Sequence, residues 1–176
     1  MRAEDWPEVK TIYEQGIATR QATFETKAPA WEAWDAGHLA EARLVAEDDG
    51  KVVGWAALSP VSPRACYAGV VEESVYVAEG ARGKGVGMAL LGRLCSDAED
   101  AGNWTIQTSI FPENVASIEL HKRCGFRIVG VRERIGQLEG VWRDTVLMER
   151  RTGAVGSTEA TRERRRRLAR RRSGSQ

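Results

Sequence analysis

The chain has 176 residues, 42% of them hydrophobic and 29% charged, which is one domain's worth and long enough to bury a core. No apolar run approaches the ~20 residues of a membrane span, and the N-terminus MRAEDWPEVK lacks the apolar stretch of a signal peptide. The net charge of +1 conceals an asymmetry: residues 151–176 hold nine arginines against Glu159 and Glu163, giving that segment +7 and leaving −6 on the first 150.

Taken in order, Pro7 suits a first helical turn, and Asp5 is placed to cap it. Val9, Ile12, Tyr13 and Ile17 then recur at helical spacing, so a helix is expected over about 6–16. Residues 19–29 show no period and read as a surface loop. A second helix is expected from Pro29 to about Gly37, carrying Trp31 and Trp34. Strands are expected over 43–47 and 51–59, joined by Asp48-Asp49-Gly50, which is hairpin chemistry. After a loop broken by Pro60 and Pro63, a strand runs over about 71–77 into a glycine-rich turn. An amphipathic helix follows to about 100, with Met88, Leu91, Leu94 and Cys95 as its buried stripe. A strand over 105–110 leads to a helix capped by Asn114 and closed by Gly125. Two last strands, 127–135 and 141–149, are linked around Gly136 and Gly140. The order predicts an α/β (α+β) fold, a mixed sheet with helices on both faces, over residues 1–150. Residues 151–176 contain few apolar side chains and read as a disordered arginine-rich tail.

Cys66, Cys95 and Cys124 are odd in number, widely spaced and without a CxxC pair. They read as reduced thiols of a cytoplasmic protein, not a disulfide frame or zinc site. With His38 and His121 as the only histidines, no metal centre is expected.

The most informative stretch is 74–87, SVYVAEGARGKGVG. A strand enters a turn holding Arg82, Gly83, Lys84, Gly85, Val86 and Gly87, and the turn opens a helix. Glycines admit positive φ and close backbone approach, and a helix N-terminus presents free N–H groups, so the turn can seat phosphates. It is not a P-loop, because no Ser or Thr follows Gly-Lys; nor is it GxGxxG, because the glycines fall at alternate positions. Its spacing is R-x-x-G-x-G, Arg82 through Gly87, after the strand residues VYV.

That loop resembles the acetyl-CoA pyrophosphate loop of the GNAT superfamily of N-acetyltransferases. Two further segments agree: VEESVYV, with Glu72 four residues before Tyr76, and Asn114-x-Ala116-Ser117-x-x-Leu120-His121-x-x-x-Gly125-Phe126. Together they resemble the phosphinothricin and methionine sulfoximine acetyltransferase branch; the first 60 residues agree more loosely, chiefly at Thr23-Phe24-Glu25. The family has a strand before the first helix, whereas Met1 here falls almost on that helix. The strand is therefore absent or the true start lies upstream.

The resemblance implies a mostly antiparallel sheet in which two strands splay apart to admit the pantetheine arm. Backbone groups of Val75, Tyr76 and Val77 would hold that arm, 82–87 the pyrophosphate, and Asn114 the cofactor further along. It implies Glu72 as general base and His121 as acid for the departing thiolate, with Phe24, Arg64 and Tyr67 around the substrate's acidic end. By strand parity Glu72, Ser74 and Tyr76 share a face, and Glu73 points to the other. Acetyl transfer to an amine needs those roles: a base to free the nitrogen lone pair, donors for the developing oxyanion, and a proton for sulfur. A homodimer is implied as well. Two alternatives stay open: acetylation of another small amine or a protein amine, and nucleic-acid or ribosome association through the basic tail.

Overall fold

The computed structural model describes residues 1–152. In chain order it comprises α1 (Trp6–Ala18), α2 (Trp31–Gly37), β1 (Leu44–Asp48), β2 (Lys51–Pro60), β3 (Val70–Val77), α3 (Val86–Asp100), β4 (Thr105–Ile110), α4 (Val115–Arg123), β5 (Arg127–Leu138) and β6 (Val141–Arg151). Among the described residues no strand precedes α1. The proposed tail and its possible nucleic-acid contacts lie, past Thr152, outside the described residues.

The strands form one sheet in the order β1-β2-β3-β4-β6-β5. Every neighbouring pair is antiparallel except β3 and β4, which are parallel. That exception decides the architecture, because parallel neighbours need a long crossover, here supplied by α3. Pairing of β3 with β4 covers Val70↔Thr105, Val71↔Ile106 and Glu72↔Gln107 and then stops. On its other edge β3 stays paired with β2 through Val77. The strand is therefore zipped on one side and open on the other from Glu73 onward, which is the expected splay.

Each sheet face has its own core. On one, α3 and α4 bury Leu90, Leu91, Leu94, Cys95 and Ile118 against Val71, Ile106 and Met148. On the other, α1 and α2 bury Trp6, Val9, Ile12, Tyr13 and Trp34 against Trp55 and Ala57. A Trp or Leu taken out of water at roughly 25 cal/mol per Å² makes these two layers the main stabilising term.

Several sequence expectations are corrected in detail. The Asp5 side chain does not cap α1; its Oδ2 accepts from the Arg2 backbone N–H at 2.6 Å, because a 3-10 turn over Ala3–Asp5 already feeds the helix. The second helix starts at Trp31, two residues beyond Pro29. Met88 is 37% exposed, and Leu90 and Ala98 complete the buried stripe of α3 in its place. Gly136 is not in the last turn: Glu139-Gly140 makes it, with φ of 50° and 83°. Gly136 lies inside β5, beyond a register shift between Arg132 and Gly136 where Arg134 takes φ 46°. Its missing side chain has a use, since a Cβ there would stand 3.0 Å from the Phe24 ring.

Candidate active site

The opening between β3 and β4 is the mouth of a cavity of about 320 Å³. Residues 72–76 of β3 form one wall and 108–111 the other. Residues 22–25 of the loop before α2 close a third side, and Asn114, Ser117 and His121 of the α4 segment a fourth. The ring of Phe24 meets Phe111 edge-on at 4.8 Å and gives the cavity an apolar end. Tyr76 stacks on Trp55 at 4.8 Å, and burial pushes its phenol far above the usual range, so it stays protonated. Three carboxylates (Glu25, Glu72, Glu73) line the space, and neither lysine nor arginine does.

Adjacent strand residues send the two central glutamates to opposite faces. Glu72, half-buried, sits where the sheet begins to part, and Gln107 Nε2 of β4 donates to its Oε2 at 3.0 Å. Its carboxylate is thus tethered at the last rung of the β3–β4 ladder. Glu73 is on the α3/α4 side and is only 4% exposed. Its burial was not read from the sequence, which only placed it on the face opposite Glu72. A signal was available: Val71, Val75 and Val77 share its parity, and a carboxylate within an apolar stripe is costly unless it is paired.

The partner is His121, itself 1% exposed. Its Nε2 lies 2.7 Å from Glu73 Oε1, and its Nδ1 lies 2.7 Å from the Ser117 backbone oxygen one helical turn earlier. Burial by itself would lower the ring's affinity for a proton. The Glu73 charge and hydrogen bond, with the Ser117 carbonyl, outweigh burial and hold the pKa above the usual histidine value. Glu73 Oε2 has no hydrogen-bond partner in the protein.

Asn114 caps α4 as expected, its Oδ1 accepting from the Ser117 N–H at 3.2 Å, while its Nδ2 donates to the Gln21 carbonyl. It thereby ties the loop before α2 to the helix that carries His121. The glycine-rich turn lies beyond the open end of β3. Gly83 and Gly85 adopt φ of 75° and 86°, and nothing stands within 4 Å of the Cβ each lacks. Gly85 is the N-cap of α3, so the free first-turn N–H groups of that helix lie at this turn. Arg82 and Lys84 are exposed beside it, with Arg82 Nε donating to the Val77 carbonyl at 3.3 Å. Open glycine positions, a helix N-terminus and two cations suit a pyrophosphate.

Arg64 and Tyr67 are not brought to the cavity. Both are exposed in the turn between β2 and β3, where the Arg64 guanidinium lies 5.6 Å over the Tyr67 ring. Thr108, Ser109 and Phe111, which the sequence did not single out, do line it, as do Thr23, Glu25 and Ser117, which lie in the stretches that carry the resemblance but were given no role. They come from separated segments.

A parallel strand pair that parts halfway, beside a glycine turn at a helix start, defines an acyl-CoA-dependent acetyltransferase. Residues 5–126 match the Acetyltransferase (GNAT) family, and the chain belongs to it. It is 37% identical over 168 residues to a phosphinothricin N-acetyltransferase of Alcaligenes faecalis, covering 90% of this chain and 83% of the relative. It is 38% identical over 134 residues to an L-methionine sulfoximine/L-methionine sulfone acetyltransferase of Pseudomonas aeruginosa, covering 76% and 73%. Among solved structures, a GNAT superfamily phosphinothricin acetyltransferase from Sinorhizobium meliloti in complex with AcCoA superposes with a TM-score of 0.78. That pair is 32% identical over 90% of this chain and 91% of the other. No group of His, Cys, Asp and Glu among the described residues could hold a metal ion, and no described helix is long and apolar enough to cross a membrane.

Proposed function

We propose that this protein, through residues 1–150, acetylates the α-amine of a small amino-acid-like compound such as phosphinothricin or methionine sulfoximine. The supporting observation is the cavity: about 320 Å³, open to the splay, lined by three carboxylates and no cation. That charge pattern suits an incoming ammonium, and the size suits a compact substrate. Acetyl-CoA supplies a thioester whose acyl carbon accepts the nitrogen.

In this reading, the turn over 82–87 seats the pyrophosphate, and the unpaired edge of Val75, Tyr76 and Val77 holds the pantetheine arm and donates to the thioester oxygen. Asn114 contacts the donor further along. Glu72, tethered by Gln107, removes the proton from the amine, directly or through a water. The nitrogen then bonds to the acyl carbon, the carbon–sulfur bond breaks, and sulfur leaves with the electron pair. His121 supplies the proton that the sulfur takes. Phe24 bounds the side chain of the substrate. Arg64 and Tyr67, exposed outside the cavity, have no part in this reading.

Acetylation converts the charged amine of a toxic glutamate or methionine analogue into a neutral amide, so detoxification is the role that fits, in a cytoplasmic, thiol-reducing setting. A homodimer is proposed with it. Ile128, Val131, Ile135, Val141 and Trp142 are all at least 46% exposed on the β5–β6 hairpin, an apolar surface that suits a second copy.

A thiol-release assay of acetyl-CoA against a panel of amino acids and analogues tests the substrate. Turnover of phosphinothricin or methionine sulfoximine is expected, and inertness toward both while another amine class is turned over would refute that assignment. Glu72→Gln is expected to keep acetyl-CoA affinity by calorimetry while turnover falls by about 10²-fold or more. Full turnover in that variant would remove Glu72 from the mechanism.

A further inference from the structure

The buried couple beneath the cavity is more than a place for His121. A backbone carbonyl can only accept, so the 2.7 Å contact at Ser117 requires a proton on Nδ1. The 2.7 Å contact at Nε2 requires a second proton between that nitrogen and Glu73 Oε1, since two bare acceptors would repel. Glu73 also carries an oxygen, Oε2, that no protein group satisfies although it is buried. A fully buried carboxylate kept in an apolar stripe, satisfied at one oxygen only, is expensive as mere packing.

We propose that Glu73 is a positioning residue: by accepting from Nε2 while the Ser117 carbonyl accepts from Nδ1, it keeps the His121 ring in its doubly protonated form at the floor of the cavity. This rests on the acetyl-transfer reading above and adds to it the origin of the proton for sulfur. The balance closes. The nitrogen loses two protons between ammonium and amide. The first passes through the Glu72 carboxylate to solvent before attack, and the second goes to the same carboxylate after it. The sulfur takes the proton shared by Nε2 and Oε1. What remains is a neutral ring whose Nε2 lone pair faces a carboxylate oxygen, a repulsive arrangement. The couple therefore takes the second proton from the Glu72 carboxyl through the cavity, and the net products are the amide, the free thiol of coenzyme A and one proton released to solvent.

Tyr76 of its own strand, Cys95 of α3 and Cys124 at the end of α4 stand near Glu73, Arg150 of β6 neighbours the two cysteines, and Glu25 and Glu72 line the same cavity. Burial pushes the Cys95 thiol up to about 12 and the Cys124 thiol upward as well, and Tyr76 is held protonated. None of these three exchanges a proton in the physiological range.

The experiment is ring-nitrogen NMR on the full ¹⁵N-labelled chain. The sequence holds two histidines, so His38→Gln assigns both spectra. At about pH 7 both nitrogens of His121 are expected in the protonated range, whereas in Glu73→Gln one of them is expected bare. In thiol release, the alkaline limb of kcat is expected to move to lower pH in Glu73→Gln by about one unit or more, so that the loss near pH 8.5 exceeds that near pH 6 by about tenfold. A His121 ring with a bare nitrogen in the unmodified protein near pH 7 overturns the proposal, and this holds even if Glu73→Gln does not fold. A ring titration unchanged by Glu73→Gln overturns it too. Because the NMR signature needs no substrate, failure of the acetyl-transfer reading appears separately, as inertness of the unmodified protein toward the amine panel.

Discussion

The two faces of the sheet each hold one histidine, and the two are treated oppositely. On the α1/α2 face His38 lies at the end of α2, stacked on Trp34 at 4.1 Å, with its Nδ1 donating to the Trp34 carbonyl at 2.6 Å. Burial against the indoles, with Arg43 nearby, lowers its pKa despite that hydrogen bond and Asp35, so the ring is kept neutral. On the α3/α4 face burial works in the same direction on His121, but a buried carboxylate overrules it. The aromatic face carries its load by area and ring contact; the aliphatic face hides a charge beneath the cavity. The side chain on the same strand that decides this is Glu73, one residue from Glu72.

The contrast can be broken at several points. The largest effect is expected on the aromatic face: Trp55→Ala removes a side chain 1% exposed and packed on Tyr13, Trp34 and Tyr76. A loss of about 3–5 kcal/mol in urea unfolding is expected, and a loss under about 1 kcal/mol would show that this layer is not close-packed. Next comes the donor seat. Gly85→Ala puts a Cβ at φ 86°, costing about 1–2 kcal/mol of backbone strain. Calorimetry should record weaker acetyl-CoA binding in that variant, and unchanged affinity would place the pyrophosphate elsewhere.

The pH dependence of stability separates the histidines by sign. His121 binds its proton more tightly when folded, so its contribution is complete below the unfolded value of about 6.5 and is lost as pH rises through its raised folded pKa. His38 binds its proton less tightly when folded, so stability falls as pH drops through about 6.5 toward its lowered value. Glu73→Gln should remove the alkaline decline and leave the acid one; His38→Gln should relieve the acid one alone. Urea midpoints between about pH 5 and 9 measure both, and an alkaline slope that survives Glu73→Gln would detach it from the couple. The smallest effect on the folded chain itself is expected at the edge. Trp142→Ser, 56% exposed, should change chain stability within about 0.5 kcal/mol while shifting the sedimentation equilibrium of a dimer toward monomer.

Much of this was legible along the chain, because the signals are local. Periodicity placed α1 and α3, Asp49-Gly50 placed the β1–β2 hairpin, and Asn114 marked α4. Errors fell where a local rule met a tertiary demand. Met88 fits the stripe of α3 by spacing but lies at its open edge. Gly136 looks like a turn residue and is instead the gap into which Phe24 packs.

By itself the sequence determined the order of elements, the glycine turn and the resemblance that singled out Glu72 and His121, since each is written in neighbours a few residues apart. Only the tertiary structure decided that Glu73 would find His121 forty-eight positions away, that Arg64 and Tyr67 would stand outside the cavity, and that β3 would part from β4 after Glu72. The reason is physical. Secondary structure follows from the period of the side chains, whereas the charge state of a buried group depends on which unlike segments the folded sheet presses against it.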